Sequence, residues 1–229
     1  MTAPPPTDSP SCPLCGAKGR APLIVAEGRR YLDCPSCGLI WMHPGDRLSG
    51  EEERARYETH ENHPHDPGYR AFLHRLSAPL VRHLPAGAEG LDFGSGPGPT
   101  LSVMLEEQGF PMRIFDPFFA PDAQTLDRYY DFITCTETAE HFFDPGREFR
   151  RLDRLLRPGG WLGVMTEVVD EDRPFQDWYY VRDPTHVAFY RPSTLEWIAT
   201  AFDWSVEFPH RNVALFRKAG GAKPLPALP

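Results

Sequence analysis

Apolar residues recur along this chain with two different periods, and the switches between them mark its elements. Phe72, Leu73, Leu76, Leu80 and Leu84 return every three or four positions, the spacing of one buried helix face. The surrounding stretch EEERARYETHENHPHDPGYRAFLHRLSAPLVRHL predicts a helix, a break at HPHDPG, and then that amphipathic helix. From residue 88 the order becomes strand, glycine turn, helix, strand, in AEGLDF, GSGPG, PTLSVMLEEQG and PMRIFD. This is a βαβ unit opening an α/β domain. Nearer the start, APLIVAEGRRYLDC predicts a hairpin with Gly28 at the bend, and the turn-rich MHPGDRLSG closes that module. RPSTLEWIATAF predicts a scaffold helix, with Ser193 as N-cap and Glu196 three residues on as a capping box.

Composition narrows the class. At 229 residues the chain is one medium domain with room for a small appendage, and 41% hydrophobic with 24% charged residues is ordinary for a soluble protein. No stretch approaches the ~20 apolar residues of a membrane span, and no charged-then-apolar leader opens the chain. A net charge of -8 argues against broad binding to nucleic acid or anionic membranes. The Pro- and Gly-rich ends, MTAPPPTDSP and AGGAKPLPALP, are expected to be disordered. Five cysteines without a secretory leader point to a reducing, cytoplasmic location.

Four of those cysteines form two knuckles, CPLCG at Cys12 and Cys15 and CPSCG at Cys34 and Cys37. Two thiolates three positions apart bind one ion from a single turn, and two such turns close a tetrahedron. A four-thiolate site has no open position, so the expectation is a structural zinc ribbon; a rubredoxin-like iron site and two disulfides are the competing readings. Such a ribbon can also offer a docking surface for a protein partner. Its Lys18, Arg20, Arg29 and Arg30 stand against Glu27 and Asp33, too weak a bias for RNA. His60, His63 and His65 sit in the polar break between the helices, where solvent exposure is the plainer reading than a metal site. A lid is the better functional reading of that break.

The turn LDFGSGPGPT differs from a dinucleotide fingerprint. Gly94 and Gly96 fit G-x-G-x-x-G, but Pro99 stands where the third glycine belongs, and Asp92 ends the strand. A carboxylate there repels a pyrophosphate and suits a cation. S-adenosylmethionine, with its amino group and sulfonium and no phosphate, is such a ligand. Asp116 at the next strand end can accept both ribose hydroxyls.

On these residues the chain resembles the class I S-adenosylmethionine-dependent methyltransferases, across residues 69–218. YDFITCTETAEHFFDPGREFRRLDRLLRPGGWLGVMT is similar to that family's fourth strand, next helix and turn into the fifth strand, and FDWSVEFPHRNVALFRK to its closing antiparallel hairpin. The resemblance implies a Rossmann-like α/β sheet of order 3-2-1-4-5-7-6. Only fourteen residues separate Asp116 from Asp131, so the third strand is expected to be short or missing, and no adenine-recognising residue can be named. It implies that Asp92, Gly94, Ser95 and Gly96 line the methionine and ribose side, with Asp116 at the ribose and Thr136 and Glu137 beneath the sulfonium. A bare helix cap is the competing role for Asp92. The resulting organisation is a ribbon at 11–44, a linker with partial helix at 45–68, the methyltransferase domain at 69–218 and a tail at 219–229.

Methyl transfer needs alignment, exclusion of water and removal of an acceptor proton. Glu140 and His141 in ETAEH and His186 in RDPTHVAFY are the candidates, each following a strand C-terminus. The E-x-x-E-H pattern is similar to that of quinol and small-molecule O-methyltransferases and of small-RNA 2′-O-methyltransferases that hold a divalent metal. General base, metal ligands including Glu137, and local structure all stay open. Cys135 reads as a strand-core residue. The aromatic PFQDWYYVRDPTHVAFY either walls an acceptor pocket or packs its loop onto the sheet. The expected function is therefore methyl transfer to an O, N or C atom of a small acceptor. The competitors are a ribbon-bearing RNA methyltransferase and a non-catalytic adaptor; an NAD enzyme fails on Pro99 and Asp92.

Overall fold

The computed structural model describes residues 10–18, 21–58 and 63–221. Arg20, His60 and the expected disorder of residues 1–9 and 222–229 lie outside the described residues. The amino-terminal module holds strands β1 (Leu23–Ala26), β2 (Arg29–Asp33) and β3 (Ile40–Met42). β1 and β2 pair through a two-residue loop in which Glu27 and Gly28 both have positive φ, 49° and 72°, the type I′ geometry that matches strand twist. Helices α1 (Gly50–Tyr57) and α2 (Pro67–Val81) follow. Ser49 and Glu52 form a capping box for α1, and Asp66 caps α2.

The expected βαβ unit is present as β4 (Gly90–Phe93), α3 (Thr100–Glu106) and β5 (Met112–Phe115). After it come β6 (Tyr130–Thr136), α4 (Pro145–Leu155), β7 (Leu156–Met165), β8 (Ala188–Phe189) and α5 (Pro192–Phe202). The hairpin β9 (Trp204–His210) and β10 (Val213–Lys218) closes the chain. The main sheet runs β5-β4-β6-β7-β10-β9. β5, β4, β6 and β7 are parallel, and β10 is antiparallel to β7 and β9. This is the Rossmann-like methyltransferase order without its third strand. The short connection after Asp116 makes only a bridge to Ala120 and a 3-10 turn, Ala123–Asp127, which leaves β5 at the edge.

Both faces of the sheet are covered, as a parallel sheet requires. Leu73, Leu76 and Leu80 of α2 join Leu101, Met104 and Leu105 of α3 over one face, with Phe132, Met165 and Leu215 beneath them. Phe72 and Leu84 are only partly buried at the margin of that cluster. Phe149 and Leu152 of α4 and Leu195 and Ile198 of α5 cover the other face, in one cluster with the four knuckle cysteines, Leu14 and Trp41.

The amino-terminal module is thus built into the rest of the chain. β3 pairs with β8, giving a second sheet of order β1-β2-β3-β8. The first knuckle sits on α4, where the Gly146 N–H donates to the Pro13 carbonyl at 3.0 Å. A Cβ at position 146 would lie 2.7 Å from the Leu14 carbonyl oxygen. The second knuckle is tied to α5 by Arg191, which donates to both oxygens of Asp33 at 2.9 and 2.8 Å and to the Gly38 carbonyl. With that side chain committed, the α5 cap differs from the sequence expectation. Arg191, not Ser193, is the cap residue, and its N–H is accepted by Thr194 Oγ1 at 3.2 Å.

Candidate active site

A cavity of about 600 Å³ opens at the carboxyl ends of β4, β5 and β6, between the glycine turn, the Ala139–His141 turn and the inner sides of α1 and α2. Open α/β sheets bind ligands at this position.

Asp92, Gly94, Ser95, Gly96, Asp116, Thr136 and Glu137 all line it. Asp92 is 4% exposed and accepts hydroxyl donors from Thr134 at 2.7 Å and Ser102 at 3.1 Å. Burial pushes its carboxyl up to about 6, against the pull of those two donors. Asp116 accepts the N–H groups of Gly96, Phe118 and Phe119 at 3.0, 2.8 and 3.0 Å, so it shapes both walls of the crevice. Gly94 has φ 80°, and a Cβ there would lie 2.2 Å from Thr138 Cγ2. The Thr138 hydroxyl sits between the carbonyls of Gly94 and Thr136, at 3.1 and 2.9 Å, locking the glycine turn to the end of β6.

Glu137 is the most strained of these residues. Its φ is 49°, a region costly for a side chain with a Cβ, and its N–H is held by the Met165 carbonyl at 2.8 Å. Burial, then Glu140 and Glu167, push its carboxyl well above the ordinary range. Its Oε1, together with Ser95 Oγ and Thr136 Oγ1, is buried without a hydrogen-bond partner. Buried polar groups are normally paired, so three such atoms on residues lining one cavity mark it as a place for a polar ligand.

The histidine side is built from distant segments. Glu140 is 1% exposed; Thr166 donates to Oε2 at 2.9 Å and Tyr180 to Oε1. His141 Nδ1 lies 3.0 Å from the Thr185 carbonyl and His186 Nδ1 2.7 Å from the Tyr180 carbonyl. A carbonyl only accepts, so each Nδ1 carries a proton, and in the neutral ring Nε2 holds the lone pair. The two rings are 5.0 Å apart. Burial, the largest influence on His186, lowers its basicity, and it faces Glu140, His141 and Asp183. Glu140, His141 and His186 can each offer a ligand atom within 4.8 Å of the others.

A family model described as methyltransferase domain matches residues 61–207. The chain belongs to that family. Among curated relatives, a ubiquinone biosynthesis O-methyltransferase from Aeromonas salmonicida is 31% identical over 91 residues, 40% of this chain and 38% of the relative. One of the same name from Proteus mirabilis is 34% identical over 93 residues, 40% and 37% of the two chains. The chain therefore spans well under half the length of these relatives. Among solved structures, a chain from the complex of the Haloferax volcanii Trm112 methyltransferase activator with a methyltransferase aligns at TM-score 0.51 and 13% identity. That alignment covers 74% of this chain and 98% of the other, and it shows a shared fold.

Some residues that line the cavity were not expected from sequence. Glu53 and Tyr57 of α1 face the cavity, with the Tyr57 hydroxyl donating to Glu53 at 2.7 Å and its ring 5.1 Å from His141. Their i, i+4 spacing was the available signal, hidden among neighbouring exposed acids. Tyr69 and Phe72 line the same side. The aromatic segment behaves differently from a pocket wall: Phe175, Trp178, Tyr180 and Phe189 are buried with Tyr31, Ile40 and Met42 of the amino-terminal module, and His186 alone of that stretch lines the cavity. Cys135 is fully buried in β6, as expected. His63 and His65 are exposed and belong to no ligand cluster among the described residues.

The other candidate centre is the knuckle pair. The four sulfurs lie within 4.8 Å of one another, with Cys12–Cys37 and Cys15–Cys34 each at 3.6 Å. That is far beyond a disulfide bond and close to the ~3.8 Å edge of a thiolate tetrahedron built on ~2.3 Å Zn–S bonds. N–H groups of Leu14 and Cys15 point at Cys12 Sγ, and those of Ala17 and Leu39 at Cys15 and Cys37. Burial pushes the Cys15 thiol up to about 12, so joint ionisation of the four calls for a cation.

Proposed function

We propose that this chain is an S-adenosylmethionine-dependent methyltransferase acting on a small acceptor, with a structural zinc ion in its ribbon. The observation that carries the reading is the set of unpartnered buried atoms, Glu137 Oε1, Thr136 Oγ1 and Ser95 Oγ, on residues that line the same cavity as the carboxyls of Asp92 and Asp116. A cation bearing hydroxyl and amino groups fits that lining; a pyrophosphate does not. Family membership supports the same chemistry.

S-adenosylmethionine, when bound, supplies a methyl group activated on sulfur. Glu137, and Asp92 below about pH 6, would ionise against its positive charge, and Asp116 would hold the ribose hydroxyls. His141 takes the acceptor proton on Nε2, while its Nδ1–H to the Thr185 carbonyl stabilises the imidazolium that forms. His186, kept neutral by burial, offers a lone pair beside it without adding a second positive charge. Glu140, with both oxygens engaged, positions the turn. A hydroxyl acceptor is favoured by the O-methyltransferase names of the relatives. Cytoplasmic placement fits the unpaired cysteines; among the described residues no helix is long and apolar enough to cross a membrane.

Calorimetry of wild type against Glu137→Gln tests the cofactor reading. Losing a buried charge partner costs about 2–3 kcal/mol, on the order of a 100-fold weaker Kd. Equal affinity in both chains would remove Glu137 from the site. A second reading, a divalent ion on Glu140, His141 and His186, rests on their close approach. Turnover that survives prolonged chelation with the ribbon metal retained would exclude it.

A further inference from the structure

The ribbon makes two contacts that bracket one short segment. At one end, the Arg29 guanidinium of β2 donates to the Val181 carbonyl at 2.6 Å. At the other, the Met42 N–H of β3 donates to the Val187 carbonyl at 2.8 Å, and the β3–β8 ladder continues from there. Between the two ends lies Thr185, whose carbonyl holds His141 Nδ1, and His186, whose own Nδ1 is held by Tyr180 just outside the bracket. The Val187 N–H also donates to the Glu140 carbonyl at 2.8 Å, so the bracket reaches the turn that carries His141. The knuckles anchor the other flanks, with Pro13 on the start of α4 and Gly38 and Asp33 on the start of α5.

We propose that the four-cysteine ribbon is a positioning device for the reaction: metal-held strands β2 and β3 clamp residues 181–187, and that clamp fixes the orientation and tautomer of both His141 and His186. The ribbon touches neither cofactor nor acceptor. It acts through two backbone carbonyls, Tyr180 and Thr185, each of which requires a proton on Nδ1 and so leaves Nε2 for the acceptor side. Removing the metal frees the knuckles, loosens β2 and β3, and lets the segment drift. The imidazoles then sample both tautomers, and the share of molecules with a correctly placed base falls. Asp92 lies in β4, the glycine turn and Asp116 are set by β4, α3 and β5, which have no ladder to the ribbon, and the Glu137 N–H is held by the Met165 carbonyl of β7, so cofactor affinity is preserved. The inference rests on the histidine roles proposed above.

The test uses the full chain with its metal, the same chain stripped by a thiol-competing chelator, and Arg29→Gln, which leaves all four cysteines intact. Nitrogen-detected NMR of ¹⁵N-histidine reports the tautomers, and calorimetry with S-adenosylmethionine reports the cofactor side. The expected result is two slowly exchanging Nδ1–H imidazoles in the metal-loaded chain. That signature should be averaged in the stripped chain and in Arg29→Gln, with cofactor Kd within twofold throughout. Once an acceptor is known, kcat should fall threefold to thirtyfold in Arg29→Gln, and Arg29→Lys, which still reaches the carbonyl, should recover most of it. If the stripped chain unfolds, Arg29→Gln decides alone. Unchanged tautomers in Arg29→Gln, or a cofactor Kd that weakens in step with kcat, overturns the proposal. Failure of the metal-loaded wild type to bind S-adenosylmethionine instead overturns the methyltransferase reading, and the NMR result still judges the clamp.

Discussion

The two sides of the cavity are made in opposite ways. Most of the cofactor side comes from one continuous stretch, Asp92 to Asp116, in which a strand, a turn, a helix and a second strand set the groups by local geometry, and the end of β6 adds Thr136 and Glu137. The histidine side is assembled from α1, the turn after β6 and the loop before β8, segments more than a hundred residues apart at their extremes. A site built locally tolerates change elsewhere; a site assembled at a distance depends on whatever holds its pieces. Here the holding parts are a ribbon contact at each end of residues 181–187 and the Arg56–Asp183 ion pair at 2.9 Å, which ties α1 to the same loop.

Substitutions can separate the two sides. His141→Ala removes the proposed base and should lower kcat by about 10²- to 10⁴-fold, while calorimetry finds the cofactor Kd unchanged. A matching loss of cofactor affinity would mean that the sides are not independent. Glu53→Gln keeps the shape of the α1 contact with Tyr57 and removes one buried charge from the acceptor end. It should raise the acceptor KM several-fold, with kcat nearly constant in steady-state kinetics. An unchanged KM would take α1 out of acceptor recognition.

Asp92→Asn sharpens the cofactor side by moving two properties in opposite directions. The folded carboxyl titrates near 6, above its ordinary value of 3.8. An acid raised in this way favours the fold while protonated, so its contribution is lost as pH rises from about 4 through about 6. At neutral pH the amide avoids a buried charge worth about 1–3 kcal/mol. The variant should melt several degrees higher than wild type by calorimetry, yet bind S-adenosylmethionine more weakly. A lower melting temperature would mean that the carboxylate is structural.

The same division explains what could be read from sequence. The βαβ unit, the acid-glycine turn and the two knuckles are encoded within a few residues each, and all appear at the expected positions. The missing strand was legible as a length, because fourteen residues cannot form a helix, a strand and two connections. The long-range pairings were not. β8 is two residues long and is a strand only because β3 lies beside it. The Phe175–Phe189 stretch is aromatic because it packs on Tyr31 and Met42, a reason located more than a hundred residues upstream. Ser193 has the right chemistry for a cap, but Arg191 is recruited by Asp33 and sets the helix start. Glu140 and His141 were legible as candidates; the Tyr180 and Thr185 groups that orient their surroundings were not.

The account stands on a positively charged nucleoside settling against two carboxyls, Asp92 and Glu137, whose hold on a proton burial strengthens. Proton release measures this directly: titrate S-adenosylmethionine at pH 6 in buffers of different ionisation enthalpy and read the protons exchanged on binding. Binding in the range of about 1 μM to 1 mM, typical of enzyme substrates, should come with net proton release as Asp92 and Glu137 ionise, and the release should diminish in Asp92→Asn. Absence of binding at millimolar concentration, or binding with no proton released, contradicts it.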